Sequence, residues 1–152
     1  MTARPGTEAA GTEAAGTEAA GTERPGVERI GSGGPWEAIV GYSRAVRAGD
    51  TIHVSGCTAT VDGEVVHEGD VHGQARVALQ VVVAALERLG AGPEHVVRTR
   101  IYLTDMSRWE EAGRAHGEVF GDIRPATSLL EVSRLIDPRL LVEIEADAWI
   151  GA

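Results

Sequence analysis

Nine residues near the C-terminus constrain the fold more than any other stretch. From Leu141 to Trp149 the chain reads LVEIEADAW. Val142, Ile144, Ala146 and Ala148 fall on one side of an extended strand, and Glu143, Glu145 and Asp147 on the other. One side is therefore a core face. The other carries three carboxylates in a row, which repel one another and are costly to bury. Such a face is either solvated or part of a site. Ala126 to Val132 predicts a strand ahead of it. Asp137-Pro138 marks the turn joining the two, because proline fixes φ and lacks a donor.

The opposite end of the chain has a different character. Residues 1–26 hold GTEAA three times in succession and then GTERPG. A glycine every fifth residue breaks any helix, and the rest is alanine or polar. This segment reads as a low-complexity, disordered tail, and residues 27–152 as one domain. With no apolar h-region the tail is not a signal peptide, and no stretch approaches the ~18 apolar residues of a membrane span. The 126-residue domain is long enough for a single core.

Charge and composition exclude several functions. The tail holds two arginines and four glutamates, so the domain keeps −7 of the chain's −9. An acidic domain with few aromatic residues is a poor partner for nucleic acid. There is no lysine, which removes Schiff-base catalysis and a P-loop together. Cys57 is the only cysteine, so no internal disulfide forms, and a reducing cytoplasm fits.

The order of elements follows from periodicity. Gly31 to Gly34 is a flexible entry, and Pro35-Trp36 starts the ordered part. Short strands are expected at Tyr42 to Val46 and Thr51 to Gly56. A hairpin is expected around Asp62-Gly63. Asp70 is placed to cap a long helix whose stripe is Val71, Ala75, Ala78, Leu79, Val82, Leu86 and Leu89, ended by Gly90. Arg98 to Thr104 predicts a strand with Thr99, Ile101 and Leu103 on one face and Arg98, Arg100 and Tyr102 on the other. Ser107 to Glu110 reads as a capping box for a second helix that buries Trp109, Ala112, His116 and Val119 or Phe120. The sum is an α+β, two-layer domain: a mostly antiparallel sheet with two helices on one face. The other sheet face sets Arg98, Arg100 and Tyr102 beside the three acids. It has no cover of its own, and in an oligomer it can pack on itself around a symmetry axis.

Four segments, GYSRAVRAGDTIHVSG, GDVHGQARVALQVVVAALERLGAGPEHVVRTRIYLTDM, RPATSLLEVSRL and LVEIEADAW, resemble the Rid (YjgF) family of reactive intermediate deaminases, also labelled endoribonuclease L-PSP. Together they span Tyr42 to Trp149. The resemblance implies a chorismate-mutase-like fold and a homotrimer whose sheets form a central barrel with helices outside. It also implies small-molecule sites at subunit interfaces, and hydrolysis of enamines and imines to carbonyl compound and ammonia without a cofactor. By the same resemblance, Tyr42 is a pocket tyrosine, Ser55, Gly56 and Cys57 lend backbone groups to the ligand, and Glu143 helps hold the attacking water. Thr127 stands where the deaminase branch has a carboxylate-clamping arginine, in a run that here reads Pro125-Ala126-Thr127-Ser128. A hydroxyl does not replace that charged fork. The expected substrate is an imine, enamine or related activated carbonyl compound that does not depend on such a clamp. The alternative is the same trimeric cleft holding a small metabolite without turnover. Ribonuclease activity fits the family's older label but not the acidic charge.

Other chemistry-bearing residues read more plainly. Cys57 has no histidine placed to activate it, since His53 lies four residues back on the same strand, about 13 Å away at ~3.3 Å per residue. The run His67-Glu68-Gly69-Asp70-Val71-His72 lacks the helical spacing of a metal motif, so no metal is expected. His116 reads as a satisfied core histidine.

Overall fold

The structure is a computed structural model, and it describes residue 21 and residues 23–152. Most of the low-complexity tail lies outside the described residues. Its last residues are tied to the domain: the Val27 amide donates to the Arg24 carbonyl at 3.1 Å, and the Gly49 amide to the Gly26 carbonyl at 3.0 Å.

The chain is α+β. Strands β1 (Val27–Ile30), β2 (Ala45–Ala48), β3 (Thr51–Cys57), β6 (Val96–Leu103), β7 (Ala126–Glu131) and β8 (Val142–Trp149) form one sheet in the order β1-β2-β3-β8-β6-β7. Strands β4 (Thr60–Val61) and β5 (Glu64–Val65) form a separate hairpin. Its turn residues Asp62 and Gly63 both take positive φ, 51° and 82°, as a two-residue hairpin turn requires. Helices α2 (Val71–Arg88) and α3 (Trp109–Phe120) pack on one sheet face. The apolar stripe expected on α2 is buried throughout. Asp70 caps that helix, accepting from the Gly73 amide at 2.9 Å. The alternation of β8 also holds: Val142, Ile144, Ala146 and Ala148 are buried in the core, and the three acids between them are half-buried.

Three expectations are corrected. The front of the domain holds a strand and a short helix that periodicity did not reveal. After β1, Pro35 opens α1 (Pro35–Val40) and Gly41, at φ 81°, ends it. Tyr42 therefore sits in the connection to β2, its amide held by the Glu37 carbonyl at 3.2 Å, and not in a strand. Second, β7 and β8 are not neighbours. Strand β6 lies between them, parallel to β7 and antiparallel to β8. Third, the turn before α3 is capped by Asp105, which accepts from the Ser107 amide at 2.9 Å, and no side-chain cap comes from Ser107. A 3₁₀ turn, Met106–Arg108, precedes α3 and rotates Trp109 outward to 49% exposure, while Ala112, Ala115 and Phe120 face the core. Ahead of β7, Arg124 takes a φ of 56° and bends the chain.

The two fully buried polar side chains among the described residues, Gln74 and Thr99, are both paired. The Gln74 amide spans α2 and the approach to β8, donating to the Arg139 carbonyl at 2.9 Å and accepting from the Leu141 amide at 2.8 Å. Thr99, fully buried, shares its hydroxyl with His116 Nε2 and Thr127 Oγ1, each at 2.8 Å. Burial lowers the His116 pKa, which keeps the ring neutral. It is a packed core histidine, its ring 4.7 Å from that of Phe120.

Candidate functional site

The irregular end of β3 builds the site. From Thr51 to Val54 this strand pairs with β8 in simple register, Val54 opposite Ala146. The next partners are Cys57 and Ile144, so two residues of β3, Ser55 and Gly56, span a step that takes one on β8. Such a bulge bends the strand and re-aims its groups. Cys57 turns into the core at 1% exposure. The Ser55 hydroxyl donates to the Ser43 carbonyl at 2.7 Å, drawing the segment after Tyr42 against the bulge.

Glu143 lies over this bulge. A Cβ placed on Gly56 would overlap the Glu143 carboxylate, so only glycine lets the acid lie flat against β3. Among the described residues no cation pairs with Glu143. Its neighbours differ. Glu145 accepts from Arg100 at 2.9 Å and from the Tyr102 hydroxyl at 3.1 Å. Asp147 faces Arg100 at 3.4 Å and His53 at 2.7 Å. Burial raises the Glu143 pKa, the Glu145 charge adds to the rise, and Arg44 opposes it. A half-buried carboxylate without a partner and with a raised pKa has the properties of a group that takes and returns a proton.

Arg44 was not singled out from the sequence, although it stands next to the bulge. Its carbonyl accepts from the Ser55 amide at 3.0 Å, which continues the β2–β3 ladder by one step. Its Nη1 donates to the Gly56 carbonyl at 2.7 Å, the Ser55 carbonyl at 3.3 Å and Cys57 Sγ at 3.2 Å. The available signal was alternation: Ala45 is a core residue of β2, so Arg44 before it points to the face that carries Glu143. Cys57 is not a nucleophile in this setting. Burial pushes its thiol up to about 11, against the pull of Arg44, so the thiolate is scarce at neutral pH.

The structure brings Glu143, Gly56, Ser55 and Cys57 together, and the backbone after Tyr42 with them. Thr127 is elsewhere. It pairs in register with Thr99, on the helix-facing side of the sheet. Its hydroxyl is engaged with Thr99 at 2.8 Å and the Pro125 carbonyl at 3.1 Å. Glu143 pairs with Tyr102 on the opposite face. In one chain, then, position 127 and Glu143 do not face a common space.

Two other features are structural. Within the His67–His72 run, Asp70 caps α2 and His72 pairs with Glu118 at 2.7 Å. Among the described residues no three His, Cys, Asp or Glu side chains converge as metal ligands, and no helix is long and apolar enough to cross a membrane. A groove of about 380 Å³ between α2 and α3, lined by Leu79, Val83, Ala115 and Val119, lies away from the bulge. Its charged rim is satisfied by the Arg76–Glu118 pair at 3.3 Å.

Known proteins share the fold and much of the sequence. Residues 35–150 match the profile of the family described as Endoribonuclease L-PSP. An uncharacterized protein of Streptomyces coelicolor is 44% identical over 121 residues, 80% of this chain and 90% of that protein. The 3-aminoacrylate deaminase RutC of Acinetobacter baylyi is 29% identical over 110 residues, 72% of this chain and 86% of that protein. A crystal structure of a Mycobacterium tuberculosis member of the YjgF/YER057c/UK114 family superposes with a TM-score of 0.75 at 49% identity, covering 82% of this chain and 99% of that one. With most of its length matched by profile, sequence and fold alike, the chain belongs to the Rid/YjgF family, the group described as endoribonuclease L-PSP.

Proposed function

We propose that this protein hydrolyses an imine or enamine to a carbonyl compound and ammonia, at sites formed between subunits of a homotrimer. The observation that carries the reading is Glu143, an acid left without a cation on a strand face where its two neighbours are paired. The half-buried charged face of β6 and β8 meets its counterparts around the three-fold axis, with arginines offsetting acids. The relative from Acinetobacter baylyi is named a 3-aminoacrylate deaminase; 3-aminoacrylate is an enamine, which supports the reading.

The chemistry needs few parts. Water adds to the imine carbon while the Glu143 carboxylate accepts its proton. That proton passes to nitrogen to give a carbinolamine, the same carboxylate then moves the hydroxyl proton to the amino group, the C–N bond breaks, and ammonia leaves as the carbonyl forms. The raised pKa of Glu143 makes it a better proton acceptor than an ordinary glutamate. The Ser55–Cys57 bulge and Tyr42 orient the ligand against it. Thr127, whose hydroxyl is already bonded, supplies no charged clamp, so any anionic group on the substrate must be met elsewhere. The decisive assay is ammonia release from a panel of imines made in place by an amino-acid oxidase. Accelerated release with at least one imine is expected. No acceleration with any imine, together with measurable ligand binding, would favour a non-catalytic binding trimer.

A further inference from the structure

We propose that Arg44 is a positioning residue for the reaction: from across the β3 bulge it holds the Glu143 carboxylate in the charged form that accepts a proton, without touching the substrate. The inference deepens the function proposed above and rests on Glu143 being the base. Two groups meet at Gly56. Nη1 of Arg44 donates to the Gly56 carbonyl at 2.7 Å, and the Glu143 carboxylate lies where a Cβ of Gly56 would be. One residue of β3 therefore separates a cation just ahead of β2 from an acid on β8. Their charges interact although no ion pair joins them.

Among the described residues the guanidinium has no acid bonded to it. Its hydrogen bonds leave from Nη1, to the Ser55 and Gly56 carbonyls and the Cys57 thiol. The carbonyls are neutral, and so is the thiol at neutral pH. Nε is buried without a partner. A charge withdrawn from water and bonded to neutral groups acts strongly on the nearest opposite charge, because the medium screens poorly. The titratable groups facing Glu143 are Glu145 on β8, Tyr102 opposite it on β6, Cys57 on β3, and Arg44. Arg44 is the one cation in that set. Burial and Glu145 both favour the protonated acid, and a protonated Glu143 is no base. Arg44 opposes both. A direct ion pair would oppose them more strongly, but it would occupy the carboxylate oxygens, as Arg100 does at Glu145. With Gly56 in between, Glu143 stays charged and keeps its oxygens for water.

The test is the titration of Glu143 in the full-length protein, read in two ways. Carbon-13 NMR of protein labelled at the glutamate carboxyl carbon gives its midpoint, the resonance being assigned by its loss in Glu143→Gln. The rate of ammonia release gives the acidic limb of the pH profile. In Arg44→Gln the midpoint should move to higher pH, and the ratio of the rates at pH 8 and pH 5 should exceed the native ratio by at least about threefold. Activity should therefore recover on the alkaline side, which a merely disordered site would not show. Arg44→Lys keeps the charge and should keep the native midpoint. If Arg44→Gln does not fold, Arg44→Ser carries the test, since it removes the charge and leaves room for water at the bulge carbonyls. A midpoint unchanged or lowered in the neutral variant, or raised equally in Arg44→Lys, overturns the proposal. The NMR midpoint is independent of turnover. A midpoint that follows the charge at position 44, in a protein that releases no ammonia, would refute the hydrolytic function and leave the hold of Arg44 on Glu143 standing.

Discussion

Glu143 and Glu145 are the same residue type, two positions apart on the same face of β8, and the fold treats them differently. Glu145 is bonded by Arg100 and Tyr102 from the adjoining strand. Glu143 sits opposite Tyr102 in the register but receives no hydroxyl and no cation; it lies over a glycine at a bulge. The pairing explains Glu145 as structure. The lack of pairing, together with burial, leaves Glu143 with an electrostatic cost that only a proton or a reacting partner relieves. The difference teaches where to look on a charged sheet face: at the acid the fold leaves unpaired.

The contrast breaks first at the assembly. Arg100→Glu would place a third acid against Glu145 and Asp147 and remove the cation that bridges them. Light scattering should then give a mass below that of a trimer, while the native protein gives the trimer mass at micromolar concentration. A monomeric native protein would remove the interface site with it.

A smaller change touches Glu143 alone. Gly56→Ala puts a methyl group where the carboxylate lies. Turnover should fall by roughly ten- to a hundredfold, about 1.4–2.7 kcal/mol in the barrier, with far-UV circular dichroism unchanged. An unaffected rate would mean that the acid does not work from this position.

Stability sharpens the contrast further. The folded protein raises the pKa of Glu143 above its unfolded value, so it holds a proton that the unfolded chain releases. That contribution to stability is full below the ordinary carboxylate range and is lost as pH rises through the raised value. Glu143→Gln removes the loss. Its melting temperature relative to native should climb with pH across that window and remain higher at neutral pH. Glu145→Gln forfeits the charge-assisted bond from Arg100 and should not be stabilising. Melting curves from pH 4 to pH 8 decide it.

Much of this was legible in the chain, and the gaps have physical causes. The faces of β8 and the stripe of α2 follow from periods of two and 3.6, because burial on one side imposes them. Periodicity carries no information about which strand lies next to which, so β6 between β7 and β8 was invisible. Helix α1 is six residues long with no buried residue, too short and too exposed to leave a stripe. Arg44 was missed because its role comes from a bulge on another strand, and a one-residue register shift has no signature in the residues opposite it. That residue 127 is a threonine without charge is plain in the sequence. What β7 does with its hydroxyl, bonding to Thr99, needed the register.

The smallest expected effect concerns the tail. Deleting residues 1–20 should leave the melting temperature unchanged, since the segment holds no large apolar side chain beyond Met1. Deleting through Gly26 removes the bond from the Gly49 amide, worth about 1 kcal/mol, and should lower the melting temperature by a few degrees. Equal effects of the two deletions would contradict the boundary.

The central claim is that Glu143, and not its paired neighbour, carries the chemistry. Ammonia release should be measured for the native protein, Glu143→Gln and Glu145→Gln on the same imine at neutral pH. The account predicts a loss on the order of 10²-fold or more for Glu143→Gln, in keeping with removal of a general base, and a loss of less than about tenfold for Glu145→Gln. Turnover that survives Glu143→Gln, or falls equally in both variants, would contradict it.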